Sequence, residues 1–231
     1  MSETDSKNLS TLECPKGEES CPILSELIQL RETVEQLKQE AHTDALTGLY
    51  NNRHFQLALQ QEMERTQRTG QPTTLLLLDL DHFKRINDTW GHIAGDEVLK
   101  QTANMLQKSI RKLDIPCRYG GEEFAILLPS TPLLIATQVA ERLRIMITSN
   151  VISHKGIDIP VSASIGADTF ISSKAESPQA FVARVDTWLY KAKHEGRNCV
   201  RHGKIQDEHK SRQMVSTEEK SALNDLFEPP S

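Results

Sequence analysis

The stretch Pro116-Cys-Arg-Tyr-Gly-Gly-Glu-Glu-Phe-Ala125 decides how the rest of the chain is read. Two consecutive glycines, Gly120 and Gly121, separate the apolar-leaning runs IPCRY and FAILLP. That is the pattern of a two-residue β-hairpin turn with positive φ at both central positions. Glu122 and Glu123 follow at once and carry two charges into a segment otherwise suited to a strand. Ordinary hairpins also use glycine, so the glycines alone decide little. A local rule broken directly beside them marks a place where function outweighs stability, and a bare glycine tip lets a ligand approach the backbone. The stretch predicts a ligand or metal site at a hairpin tip.

Working outward, Leu75-Leu-Leu-Leu78 is a short continuous apolar run, which reads as a central strand covered on both faces. Asp79 ends it; taken alone, a carboxylate there is as readily a cap or turn former. Leu80 to Lys84 bends the chain into the short segment RIND, and Asn87, Asp88 and Gly91 lead into a long helix. Its buried face is Val98, Leu99, Ala103, Leu106 and Ile110. Beyond the hairpin, Ser130-Thr131-Pro132 predicts a helix with proline at its first position, with Ala136, Val139, Ala140, Leu143 and Ile147 facing inward. Ile157, Ile159, Val161, Ala163 and Ile165 alternate as in a half-buried strand. A last helix turns Phe181, Val185, Trp188, Leu189 and Ala192 inward and stops at Gly196. Before the leucine run, Gly48 and Asn51 punctuate a turn, and a helix continues through Phe55, Leu57, Leu59 and Met63 toward Gly70. Strands alternating with helices predict an α/β (α+β) domain, a central sheet with helices packed on it.

The 231 residues suffice for one domain with tails, and a mean hydropathy of −0.47 points to polar tails. Residues 1–22 carry five acidic and two basic side chains and residues 203–231 six and four, so 23–202 is near neutral. A basic nucleic-acid-binding surface spread over the domain is thereby disfavoured. No apolar run approaches the roughly 20 residues of a membrane span, and MSETDSKNLS lacks the regions of a signal peptide. The expected location is cytoplasmic. Cys117 and Cys199 read as small core hydrophobes. Cys14 and Cys21 match no common zinc spacing and read as reduced thiols, a redox or metal sensor being the alternative.

Three quoted stretches resemble the signature of one family. The segment GGEEF, preceded by CRY, is similar to the hairpin of the GGDEF family, the bacterial diguanylate cyclases that condense two GTP into cyclic di-GMP. DLDHFKRINDTWGHIAGDEVL follows that family's D-x-D-x-F-K-x-I-N-D-x-x-G-H-x-x-G-D almost residue for residue. TDALTGLYNNRHF resembles its opening motif D-x-L-T-G-L-x-N-R-R-x-F, with Asn52 in place of the first arginine and Arg53 retained. YKAKHEGRN is like its closing motif. The resemblance covers about residues 43–202.

The resemblance implies a five-stranded mixed sheet with surrounding helices, similar to the palm of nucleotidyl cyclases and polymerases, with Asp79 beside Glu122 on neighbouring strands. It implies two Mg²⁺ per half-site, with Mn²⁺ as a possible substitute, held by Asp79, the Leu80 carbonyl, Glu122 and Glu123. Glu122 is the implied base and Arg118 a transition-state contact. Lys84, Lys193, Arg197 and the Phe83 region are implied for the phosphates, with Gly120 and Gly121 at the hairpin tip. Asn87, Asp96 and His92 complete the implied substrate set. Asn87 and Asp96 are acceptors for guanine, and Asp96 favours GTP over ATP because relatives accepting ATP replace it. Taken alone, Lys193 and Arg197 read first as i,i+4 cations at a helix C-terminus, a common macrodipole effect. Arg111-Lys-Leu-Asp114 resembles the family's inhibitory product site, with Arg142 as a further contact from a neighbouring domain.

Ile23, Leu27, Leu30, Val34, Leu37 and Ala41 step by four and three with polar residues between. This narrow seam predicts a dimeric stalk over 23–42, the alternative being a helix lying on the domain. A dimer serves a reaction that joins two GTP by raising the local concentration of the second domain. The expected organisation is then a disordered tail to residue 22, the stalk, the catalytic domain over 43–202 and a polar tail over 203–231. In that last tail, Ser216-Thr-Glu-Glu219 with Leu223, Leu226 and Phe227 resembles a capped helical turn. GTP, cyclic di-GMP, a second copy and a regulatory protein on the stalk or tails are the expected partners. A catalytically silent receptor for GTP or cyclic di-GMP, and a purely structural dimerisation protein, are the competing readings.

Overall fold

The structure, a computed structural model, describes residues 22–205. The expectations for Cys14, Cys21, the N-terminal tail and the turn at Ser216–Phe227 lie outside the described residues.

The leucine run forms the middle of β2 (Thr73–Leu80), all eight residues of which are buried. Alternate side chains leave a strand on opposite faces, and both faces here are apolar. Leu76, Leu78 and Leu80 enter one core and Leu75 and Leu77 another. Each such leucine contributes about 2 kcal/mol by leaving water. The first core is covered by α3 (Phe83–Trp90), α4 (His92–Ser109) and α5 (Leu133–Ser149). The second is covered by α2 (Asn52–Thr69) and α6 (Pro178–His194).

With β1 (Tyr50–Asn51), β3 (Ile115–Arg118), β4 (Glu123–Leu128), β7 (Ala163–Phe170) and β8 (Val200–His202), the mixed sheet has the order β1-β3-β4-β2-β7-β8. It has six strands where five are expected; β1 is a two-residue strand beside β3, too short to leave a periodic signal. β2 lies antiparallel to both β4 and β7, with Asp79 opposite Glu123 on one side and Ser164 on the other. The helical crossing from β2 reaches β3, and β4 then inserts between those two strands.

The alternating run from Ile157 to Ile165 is not one strand. Ile157–Ile159 (β6) pairs with Ile152–His154 (β5) in a separate hairpin, and β7 begins only at Ala163 with all eight residues buried. Pro160 stands at the break; it has no N–H for a ladder and confines strands to either side. The α5 helix begins at Leu133, so Pro132 caps it instead of occupying its first turn. At Gly166 of β7 an added Cβ would lie 2.3 Å from Leu189 N and 2.7 Å from Val185 O. The α6 backbone therefore rests directly on the sheet there.

The chain enters the domain through α1 (Pro22–His42), on which Leu27, Leu30 and Val34 are exposed. An Asn51 cap on the His54 N–H starts α2.

Candidate functional site

The tip between β3 and β4 is wider than a two-residue turn. Tyr119 and Gly120 N–H both donate to the Glu123 carbonyl, and neither Gly120 nor Gly121 has the positive φ expected of them. Gly120 instead lies close over the Glu123 side chain: a Cβ there would lie 2.5 Å from that carboxylate, whose free end can turn aside. Gly121 presents its carbonyl to Arg118, whose Nη2 donates at 2.9 Å and Nε at 3.2 Å. The other edge of that guanidinium bonds both carboxylate oxygens of Asp44 at 3.2 Å. Asp44 also accepts from the Thr47 N–H and hydroxyl. Burial pushes the Asp44 carboxyl up, but the Thr47 hydrogen bonds and the Arg118 charge outweigh it and hold the group below its ordinary range.

The tip is fastened to the end of β2. The Leu80 N–H donates to the Glu122 carbonyl at 3.2 Å, and Asp79 is the cross-strand partner of Glu123. Directly opposed residues share a face, so Asp79 and Glu123 project to the α6 side, with Glu122 adjoining. Asp79 is 8% exposed. The Lys193 ammonium on α6 meets its Oδ2 at 2.7 Å. Burial, opposed by Lys193, holds the Asp79 carboxyl above its ordinary range. Burial first, and the Asp79 charge second, raise Glu122 and Glu123 as well. Three carboxylates thus share one corner with a single adjacent ammonium.

Among the described residues, no group of three or more His, Cys, Asp and Glu side chains could hold a metal ion by itself. The donor chemistry nonetheless fits magnesium, which takes one or two carboxylates, waters and substrate phosphates rather than an all-protein cage.

The other expected substrate residues line the start of the helical crossing. Phe83 is the buried first residue of α3, Lys84 is exposed beside it and Asn87 is half-buried one turn on. His92 opens α4, exposed, and Asp96 follows one turn later, also exposed. Arg197 departs from the i,i+4 helical reading. The α6 helix ends at His194, and Arg197 and Asn198 both take left-handed φ, 61° and 44°. The Arg197 N–H turns back to the Ala192 carbonyl, while its charge still reaches Asp79.

Arg111 and Asp114 lie apart from this corner, beside a 540 Å³ cavity also lined by Thr43, Gly48, Tyr50 and Gln107. They close a local loop: Arg111 N–H donates to Asp114 Oδ2 at 2.8 Å and Asp114 N–H to the Arg111 carbonyl at 3.0 Å. Burial raises the Asp114 carboxyl against the opposing charges of Arg111 and Arg142. Arg142 donates from α5 to the Ser109 carbonyl at the end of α4 in the same chain, at 2.7 Å. Within its own chain Arg142 thus ties α5 to the end of α4, close enough for its charge to reach Asp114.

Two site residues are not singled out by sequence reasoning. Asp44 sits inside the opening motif, and the three-residue spacing to Thr47 is the only local signal of its cap. Asp81, two residues past Asp79, accepts from the Ser162 and Ser164 hydroxyls at 2.7 and 2.6 Å and from the Asn198 N–H at 3.0 Å. It ties β2, β7 and the Arg197–Asn198 turn together. No local pattern names those partners.

Residues 41–199 match the family described as diguanylate cyclase, GGDEF domain. Over 165 residues the chain is 44% identical to diguanylate cyclase DgcP of Pseudomonas aeruginosa, covering 71% of this chain and 24% of DgcP. The crystal structure of the coiled coil and GGDEF domain of DgcB from Caulobacter crescentus, in complex with c-di-GMP, is similar with a TM-score of 0.73 and 31% identity. That likeness covers 78% of this chain and 94% of the other. Diguanylate cyclase SiaD of P. aeruginosa, in complex with its activator SiaC, is similar with a TM-score of 0.70 and 36% identity, over 87% of this chain and 75% of that one. The chain spans less than half the length of the curated relatives it matches. With these motifs carried on this sheet, the chain belongs to the GGDEF family of diguanylate cyclases.

Proposed function

We propose that two copies of the domain, each holding one GTP, condense them into cyclic di-GMP and two pyrophosphates. The observation that carries this reading is the corner where Asp79, Glu122 and Glu123 converge beside Lys193. Each ribose 3′-OH attacks the α-phosphorus of the other GTP; a 3′–5′ phosphodiester forms, the α–β bond breaks, and pyrophosphate leaves while the hydroxyl proton is lost. Asp79, Glu122, Glu123 and the Leu80 carbonyl would hold two Mg²⁺, or Mn²⁺, which when bound polarise the phosphate, lower the 3′-OH pKa and neutralise the leaving group.

Glu122, raised above the usual carboxylate range by burial, is the group assigned to take the 3′-OH proton. Lys193, Lys84 and Arg197 supply positive charge to the triphosphate, and the Phe83 turn offers backbone N–H groups. Asn87 and Asp96 accept from the N1–H and amine of guanine, with His92 at the rim. Arg118 holds the Gly121 carbonyl and so fixes the tip that carries both glutamates; charge for the transition state is its second role.

The exposed Leu27, Leu30 and Val34 of α1 support pairing through that helix, as a coiled coil does. Feedback inhibition by cyclic di-GMP at Arg111, Asp114 and Arg142 completes the reading; that DgcB is in complex with c-di-GMP supports the product as a ligand, and that SiaD is in complex with its activator supports a regulatory protein as a partner.

Purified protein supplied with labelled GTP and Mg²⁺ tests the reading. The expected outcome is a cyclic dinucleotide with two equivalents of pyrophosphate. Bound but unchanged GTP would establish a silent receptor, and no binding a dimerisation protein. Arg111→Ala should keep turnover and lose inhibition by added cyclic di-GMP.

A further inference from the structure

Gly95 lies within α4, one residue before Asp96, and is buried. An added Cβ at this glycine would lie 1.9 Å from Asn87 Oδ1, 3.0 Å from Asn87 Cγ and 3.2 Å from the edge of the Phe83 ring. The carboxamide of Asn87 thus occupies the volume that any other residue at 95 would fill, with the aromatic ring closing the remaining side. Helical glycine is otherwise unfavourable relative to alanine, and φ at Gly95 is not among the positive values. The backbone conformation therefore does not require glycine; the space for Asn87 does.

We propose that Gly95 is a positioning residue for the guanine site: it seats the Asn87 carboxamide against α4, beside Asp96, in the orientation that reads the base. This rests on the assignment of Asn87 and Asp96 to guanine made above. The atom that a methyl group would strike is the free end of a rotatable side chain and not backbone. The helix pair α3–α4 accommodates alanine by turning Asn87 away, so the change falls on recognition and not on folding.

The experiment compares wild type, Gly95→Ala, Asn87→Ala and the double variant, each as the full chain. In GTP turnover, Gly95→Ala raises KM for GTP about tenfold, the loss of roughly one good hydrogen bond, and leaves kcat within about twofold. In the Asn87→Ala background the same change has no further effect on KM, as expected of two residues acting as one unit. Thermal unfolding of Gly95→Ala shows a Tm equal to or above that of wild type. An unchanged KM, or an equal effect with and without Asn87, overturns the proposal, as does a lowered Tm accompanied by loss of kcat. Wild-type protein that does not turn over GTP refutes the cyclase reading separately. A crystal structure of Gly95→Ala then still decides the geometry: Asn87 displaced supports the seat, and Asn87 unmoved refutes it.

Discussion

Asp79 and Asp81 stand two residues apart at one end of the same strand, both nearly sealed from solvent, and they live in opposite surroundings. Asp81 is saturated: the Ser162 and Ser164 hydroxyls at the start of β7 and the Asn198 N–H in the Arg197–Asn198 turn all point at it. Asp79 has one ammonium, lies opposite another carboxylate, and is held above its ordinary titration range by burial. Hydrogen-bond donors gathered around a buried charge make it a structural tie. A buried charge left short of donors and crowded by its own sign is strained, and such strain is kept where a ligand relieves it.

The sharpest way to break this contrast is Asp79→Asn. Cyclic di-GMP formation should fall at least about 10²-fold, with stability changed by less than about 1 kcal/mol because losing the Lys193 pair is offset by removing a buried charge that is crowded by two other carboxylates. Asp81→Ala should do the reverse to the fold, costing about 3–4 kcal/mol by leaving three donors unpaired, or roughly 10 °C in Tm. Comparable Tm losses in the two variants would erase the distinction. Ser162→Ala removes one of the ties to Asp81 and should cost about 1–2 kcal/mol by chemical denaturation, with turnover intact.

The smallest effect concerns pH. The raised carboxyls of Asp79, Glu122 and Glu123 bind protons more tightly in the folded protein. Their favourable contribution is present below the ordinary carboxylate range and is lost as pH rises through the raised values. In EDTA, Glu122→Gln with Glu123→Gln should therefore unfold at a slightly higher temperature than wild type at pH 7, with a flatter Tm profile from pH 4 to 7. A steeper profile would mean that the corner is not crowded with charge. Asp44, held low, contributes in the opposite sense: its share is present above the ordinary range and is lost as pH falls through the depressed value.

Sequence reading reached the cluster because its members sit in contiguous, locally patterned stretches: a leucine run ending in Asp79, and two glutamates after two glycines. It also reached the two-faced burial of β2, which a continuous apolar run encodes directly. What it missed depends on residues far apart. Asp81 and Asp79 look alike in DLD, and only the arrival of Ser162, Ser164 and Asn198, more than eighty positions away, separates them. The hairpin tip departs from its reading because paired glycines suggest left-handed backbone, whereas neither takes it and the tip closes through two N–H groups on the Glu123 carbonyl, a long-turn bond no local pattern announces. The break at Pro160 was legible in principle, since a proline in an alternating run argues against an inner strand; the surrounding isoleucines hid it.

The contact at Gly166 has a mechanical consequence. With Leu189 N and Val185 O already touching the sheet, the last helix has no clearance to sink or slide at that point. Lys193, one turn beyond Leu189, takes its reach from this fulcrum. A bulkier residue beneath the helix would tilt it like a lever and lift the ammonium from Asp79, disarming the corner without touching any group in it.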